Sequence, residues 1–328
     1  MTVITGILCS DGVVIGSDSA MAAGRAGRYT IEWQESGALK LEIFEPDIIT
    51  AVTGAFGLAQ RFNDVVGQTL KVMRQPFKGP QLIPGLGEVG SLLQKILGVN
   101  VQNGQVPYDK LAPVELGRVI AQMVIADFQR TPSVLQSQPG IGWGLGALFA
   151  FVNDDKPQLI DFDPVQFHPE LKGMPDPLRG DKDRIWRCVS MGAGQQLADP
   201  FLAHAYHVLF GDKVPTVDRA KLAVAWTIHH VKSHNIGLVG GTTQLAVLEK
   251  SDGRWHAHHE DPGQALQQVR DLEDYISKFG PAAIAPSASV VDPHAEIDMA
   301  TSTSGAAPEE EVRFRTAFAA DVETDSSK

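Results

Sequence analysis

Cysteine is nearly absent from this chain: Cys9 and Cys188 are the only two among 328 residues. Two thiols cannot build a disulfide framework or a structural zinc site, so a reducing compartment is the default expectation. Long apolar runs are missing as well. No stretch reaches the roughly eighteen apolar residues that a membrane span needs, and MTVITGILCSDG lacks the basic region and unbroken apolar segment of a secretory signal. These absences point to the cytoplasm. Positive charge is also short, with 28 Lys and Arg against 39 Asp and Glu for a net of −11. That sign argues against nucleic acid or an anionic membrane as the main partner.

What is present is a core-forming composition, 43% hydrophobic and 20% charged, in a chain long enough to bury roughly three quarters of its unfolded surface. Much of the acidity belongs to one end. Residues 281–328 hold nine acidic and three basic side chains, and from Gly280 onward the sequence is rich in Pro, Ala and Ser with little periodicity. The expected organisation is therefore a domain over 1–279 and an acidic, disordered tail over 280–328. The segment VRFRTAF within the tail is a candidate docking element.

Residues 2–9 and 12–17 read as strands joined by Ser10-Asp11-Gly12, a hairpin signal. Strand patterns recur at 40–45 and 48–53. Helical spacing follows over 55–75, carried by Phe56, Leu58, Phe62, Val65 and Leu70. The Pro- and Gly-rich stretch 76–111 reads as an insertion with one short helix near 89–97. A helix is expected at 112–131, then a hairpin at 143–152 and 157–162 around Asn153-Asp154-Asp155. The proline-rich stretch 164–183 reads as a second insertion, a loop, before a strand at 184–190. Helices at 195–210 and 217–234, a strand at 242–249, a turn at Asp252-Gly253 and a helix at 263–279 complete the order. Helix pairs alternating with antiparallel strand pairs favour a layered sandwich over a doubly wound fold.

The chemistry concentrates at the start of the chain. Met1 precedes Thr2, a small residue that ordinary methionine removal leaves as the new N-terminus. A free N-terminal threonine carries a nucleophile and a base together: its hydroxyl attacks an amide carbonyl while its α-amine, with an ordinary pKa of about 7.7–8.0, accepts the proton. Asp18 stands at the far end of the opening hairpin, able to lie beside the start of the first strand. Lys40 is the first lysine in the chain. Near Thr2 its ammonium would favour the neutral amine and the developing alkoxide, with Asp18 aiming it. Gly54, having no side chain, can bring its N–H close to an oxyanion.

The segments TVITGILCSDGVVIGSDSA and LKLEIFEPDIITAVTGAFGLAQRF resemble the opening of proteasome β-type subunits. CVSMGAGQQLADPFLAHA, TVDRAKLAVAWTIHHVKSHN and GGTTQLAVLEKSDGRW follow in the family's order, so the likeness spans roughly residues 2–279. It implies an N-terminal nucleophile hydrolase of the α+β class: a four-layer αββα sandwich of two antiparallel sheets flanked by helices. The family's motif positions fall on Thr2, Asp18, Lys40 and Gly54, and its substrate pocket on Met21, Ala38, Val52 and Phe56, walls suited to an apolar side chain. With no propeptide before Thr2, the similarity is closer to bacterial self-compartmentalising peptidases, such as the bacterial proteasome homologue, than to processed β subunits. The implied activity is threonine-type endopeptidase cleavage of unfolded polypeptides inside a stacked double ring of identical subunits. Seven per ring is expected, with six the alternative and room for an ATP-dependent unfoldase as partner. No cofactor or metal is implied.

The chain departs from the family in three places. The stretch between Asp18 and Lys40 is several residues longer. Gly192-Ala193-Gly194 replaces a Gly-Ser-Gly turn, and His234-Asn235-Ile236-Gly237-Leu238-Val239 stands where an Asp and a Ser precede Gly240-Gly241. Ser190 or Asn235 could rebuild the pocket around the terminal amine. Two other readings stay open: a small-molecule amidase of the same fold, and a catalytically silent ring protein serving as scaffold. The run His256-Ala257-His258-His259 splits its histidines between two strand faces with no acidic or cysteine cluster beside it, so no metal site is expected there.

Overall fold

The computed structural model describes residues 2–25, 28–34, 39–44, 46–54, 56–74, 82–83, 87–88, 111–130, 144–173, 187–235 and 239–284; at 21–34, 56, 72, 74, 82–88, 130 and 280–284 only the backbone is described. Two compact units divide the chain, Met1–Ser277 and Lys278–Lys328. The expected short helix near 89–97 and the docking segment VRFRTAF lie outside the described residues.

The first unit is built on two five-stranded sheets in which every pairing is antiparallel. Strands β1 (Val3–Leu8) and β2 (Gly12–Asp18) open the chain as the expected hairpin. They are followed by β3 (Met21–Arg25), β4 (Arg28–Gln34), β5 (Leu41–Phe44) and β6 (Ile48–Thr53). Helix α1 (Phe56–Arg74), short β7 (Leu82–Ile83) and β8 (Gly87–Glu88), and helix α2 (Pro113–Arg130) come next. Then come β9 (Gly146–Asn153), β10 (Lys156–Phe162), β11 (Pro169–Leu171) and β12 (Cys188–Gly192). Helices α3 (Gln195–Phe210) and α4 (Val217–His234), strands β13 (Thr243–Ser251) and β14 (Arg254–Glu260), and helix α5 (Gly263–Ile284) end the described chain. One sheet runs β12-β1-β2-β13-β14, the other β11-β10-β9-β6-β5.

Why these strands are apolar throughout follows from where their two faces go. All six residues of β1 are buried: Ile4 and Leu8 join the core between the sheets, while Val3 and Ile7 join the core beneath α3, α4 and α5. A strand covered on both faces has no polar side to alternate with. On the other sheet Leu148, Ala150 and Leu159 face inward, and Phe149, Phe151 and Phe162 pack under α1 and α2. Those helices contribute Phe62, Val65, Val66 and Leu70, and Leu116, Ile120 and Val124, at one-turn spacing. The layers therefore run helix, sheet, sheet, helix, as the sandwich expectation required.

Two stretches differ from expectation. The extra length between Asp18 and Lys40 contains a separate hairpin, β3 on β4, with an irregular register between Ala23 and Arg25. The loop expected at 164–183 carries β11, three residues that add an edge strand to β10. The turns at Asp154-Asp155 and Asp252-Gly253 are the anticipated hairpins, with φ of 47° and 60° and of 52° and 75°. Positive φ at both central residues matches the right-handed twist of the strands they join.

Candidate active site

Of the residues singled out from sequence, Asp18, Lys40 and the Thr2–Val3 peptide come together at one end of β2. Asp18 closes β2 and is fully buried. Its Oδ1 accepts the Val3 N–H at 3.0 Å and the Lys40 ammonium at 2.8 Å. Its Oδ2 accepts the Ala20 N–H at 3.3 Å and the Gly240 N–H at 3.2 Å. Four donors from four segments thus converge on one carboxylate. The Val3 N–H belongs to the peptide that joins Val3 to Thr2, so the Asp18–Lys40 pair sits one peptide from the candidate nucleophile. Thr2 itself is buried, 6% exposed.

The Lys40 side chain is 9% exposed. Burial lowers its pKa from the ordinary lysine value, and the charge and hydrogen bond of Asp18 oppose that shift. The Lys40 backbone is fixed on both sides: its N–H donates to Gln244 Oε1 at 3.2 Å, and its carbonyl accepts the Val52 N–H at 3.3 Å. Gln244 Oε1 also accepts from the Ser17 hydroxyl at 3.2 Å.

The Thr2 carbonyl is cradled by the Gly192-Ala193-Gly194 turn, accepting the Gly194 N–H at 3.2 Å. Gly192 has φ of 97°, and a Cβ there would stand 2.2 Å from the Thr2 carbonyl oxygen and 2.9 Å from Thr53 Oγ1. Only glycine fits that backbone and that gap. Gly54 follows β6 with φ of 125°, and a Cβ on it would meet the Gly144 carbonyl oxygen at 2.2 Å. The end of β6 is therefore glycine by necessity.

Of the expected pocket wall, Val52 is 4% exposed and belongs to the core beneath α1 and α2. Met21 opens β3 and Phe56 opens α1, with their side chains outside the described set, and Ala38 lies outside the described residues. Ser190 stands opposite Thr5 in the β1–β12 register, three residues along from Thr2, and its hydroxyl donates to Asp199 Oδ1 on α3. Gln195 holds the other Asp199 oxygen at 3.1 Å. Asn235 terminates α4, its N–H donating to the Val231 carbonyl at 2.8 Å.

Thr53 and Gln244 were not anticipated near Asp18 and Thr2, while Gly192 and Gly240 entered only through the resemblance. Thr53 had one available signal, its place directly before Gly54. Gln244 and Gly240 reach the site through contacts more than two hundred residues apart in sequence, which no local pattern encodes. Cys9 is buried, and that burial raises its thiol pKa, with Asp11 adding to the effect; it is packing rather than a nucleophile. Among the described residues no group of three or more His, Cys, Asp or Glu could hold a metal ion, and no helix is long and apolar enough to cross a membrane. No protein-family model and no curated protein matches the chain.

Proposed function

We propose that this chain is an N-terminal threonine hydrolase acting on peptide bonds, with the N-terminal nucleophile fold. The observation that carries the reading is the Asp18–Lys40 pair joined by hydrogen bond to the peptide immediately after Thr2. Once Met1 is removed, the Thr2 hydroxyl and α-amine lie together beside that pair.

In the proposed cycle Thr2 Oγ adds to the substrate carbonyl carbon, and its proton passes to the Thr2 amine directly or through a water. The Lys40 ammonium favours the neutral amine and the anionic oxygen, while Asp18 holds the lysine in place. The oxyanion forms against the Gly54 N–H. The protonated amine then gives its proton to the leaving nitrogen as the C–N bond breaks, leaving an ester on Thr2. Water hydrolyses that ester and restores the hydroxyl. The double ring of identical subunits, the unfolded-polypeptide substrate and any unfoldase partner rest on the sequence resemblance and belong to the same proposal.

Replacement of Thr2 by Ala tests it. Loss of cleavage of an unfolded polypeptide with unchanged particle mass supports the peptidase. Cleavage of acyl amides alone by the unsubstituted protein supports an amidase instead, and equal inactivity of both forms makes the chain a scaffold.

A further inference from the structure

Resting on the Thr2 reading, a further positioning residue emerges from the way α4 lies along β2. The helix is pinned at its start, where the Val217 N–H donates to Asp11 Oδ1 in the β1–β2 turn at 2.9 Å. A Cβ on Gly12 would lie 2.6 Å from Val217, and a Cβ on Gly16 would lie 2.4 Å from Val224 and 2.6 Å from Ile228. Helix and strand therefore advance in the same direction with their axes in step.

The next repeat carries each element to a charged residue. Two residues beyond Gly16, about 6.6 Å along the strand and on the same face, is Asp18. One turn beyond Ile228, about 6 Å along the helix and on the same face, is Lys232. Lys232 is half-buried and, among the described residues, takes part in no hydrogen bond or ion pair. Burial lowers its pKa, and the Asp18 charge opposes that shift. Thr243 pairs with Asp18 across β2 and β13, and its buried hydroxyl has no hydrogen-bond partner among the described residues. Both oxygens of Asp18 already take two donors each, so the open acceptor on this side is the Thr243 hydroxyl.

We infer that Lys232 is a positioning residue of the Thr2 site, a second ammonium on the helix side of Asp18, which keeps the Thr2 amine neutral to lower pH. Lys40 and Lys232 then flank one carboxylate, and the local charge is +1 rather than zero. A net positive charge disfavours a protonated amine. Several charged or titratable groups on the neighbouring elements are engaged or placed elsewhere. Asp199 on α3 holds Ser190 and Gln195, and Glu273 on α5 holds Trp226 at 3.1 Å and faces His229 at 3.3 Å. Glu249 and Lys250 lie at the far end of β13, while His230 and His234 stack on each other along α4, ring centroids 4.2 Å apart.

The test is the pH profile of Thr2 acylation by a β-lactone probe, followed by intact mass, in the unsubstituted protein, Lys232→Met and Lys232→Arg. The expected result is an acid limb that moves up by about half a pH unit or more in Lys232→Met, a maximal rate at high pH within twofold, and a return to the original profile in Lys232→Arg. Superimposable profiles for the unsubstituted protein and Lys232→Met, with acylation intact in both, overturn the role of Lys232 and leave the Thr2 reading standing. Absence of acylation in the unsubstituted protein at every pH overturns the Thr2 reading itself, and this inference with it. If Lys232→Met does not fold, Lys232→Gln carries the same comparison.

Discussion

Two buried aspartate–lysine pairs occupy the two sheets, and they are built differently. Asp18 receives two donors on each oxygen, three of them backbone N–H groups. Asp161 on β10 meets the Lys172 ammonium at 3.2 Å, which Glu170 shares at 2.9 Å, and its Oδ1 is buried without a hydrogen-bond partner among the described residues. Burial, with Glu170 adding to it against Lys172, pushes the Asp161 carboxyl up to about 6. The first arrangement ties four chain segments to one anion and leaves nothing unsatisfied. The second leaves its charge under-compensated. The contrast lies in the donors: three backbone N–H groups converge on Asp18, and none of the bonds described from other residues to Asp161 is of that kind.

Lysine replacements should separate the pairs most sharply. Lys40→Met is expected to reduce cleavage by at least about a hundredfold and to destabilise the fold by about 3 kcal/mol, because it strips a buried carboxylate of its cation. Lys172→Met is expected to leave cleavage within about twofold, since Asp161 can take up a proton in response. Peptidase assays and denaturant unfolding of the two variants check both halves. Equal activity losses would erase the distinction.

Gly54→Ala comes next. The new Cβ meets the Gly144 carbonyl at a backbone conformation with φ of 125°, so a loss of about 2 kcal/mol or more is expected, measurable as a lowered unfolding midpoint. Activity should fall further than stability alone explains if the Gly54 N–H faces the oxyanion.

The pH dependence of stability tests Asp161 alone. Its carboxyl is raised from the ordinary 3.8 to about 6, so between those values the folded chain holds the proton more tightly than the unfolded chain. Stability from this group should therefore fall as pH rises from about 4 to about 6 and stay flat beyond, a change of order 2 kcal/mol. Asp161→Asn should remove that slope in unfolding curves collected across the range. The smallest effect expected is Gln244→Ala, about 1 kcal/mol for two lost hydrogen bonds to one carbonyl oxygen, with a modest loss of activity through a loosened Lys40.

Much of the architecture was legible because its signals are local. Ser10-Asp11-Gly12, Asn153-Asp154-Asp155 and Asp252-Gly253 carry their own turn chemistry, and Phe62, Val65 and Leu70 carry their own period. The β3–β4 hairpin was not legible: MAAGR offers small residues and no apolar alternation, and its register is irregular. β11 was hidden because Pro169 signals a loop, yet an edge position tolerates a residue without an N–H. Asp18, Lys40 and Gly54 were singled out by their spacing in a resemblance, whereas the neighbourhood of Asp18 that includes Gln244 depends on β13 folding back beside β2. Ser190, offered as a partner of the terminal amine, stands opposite Thr5 in the register and donates its hydroxyl to Asp199.

The central claim is that Thr2 becomes both attacking group and proton acceptor beside Asp18 and Lys40. Intact mass of the purified protein before and after exposure to an epoxyketone, which bonds to the hydroxyl and the amine of an N-terminal threonine together, tests it directly. The account expects a chain lacking Met1 that gains one inhibitor mass, mapped by fragmentation to Thr2 and abolished in Lys40→Met. A chain that retains Met1, or one that lacks it and gains no mass, would contradict the account.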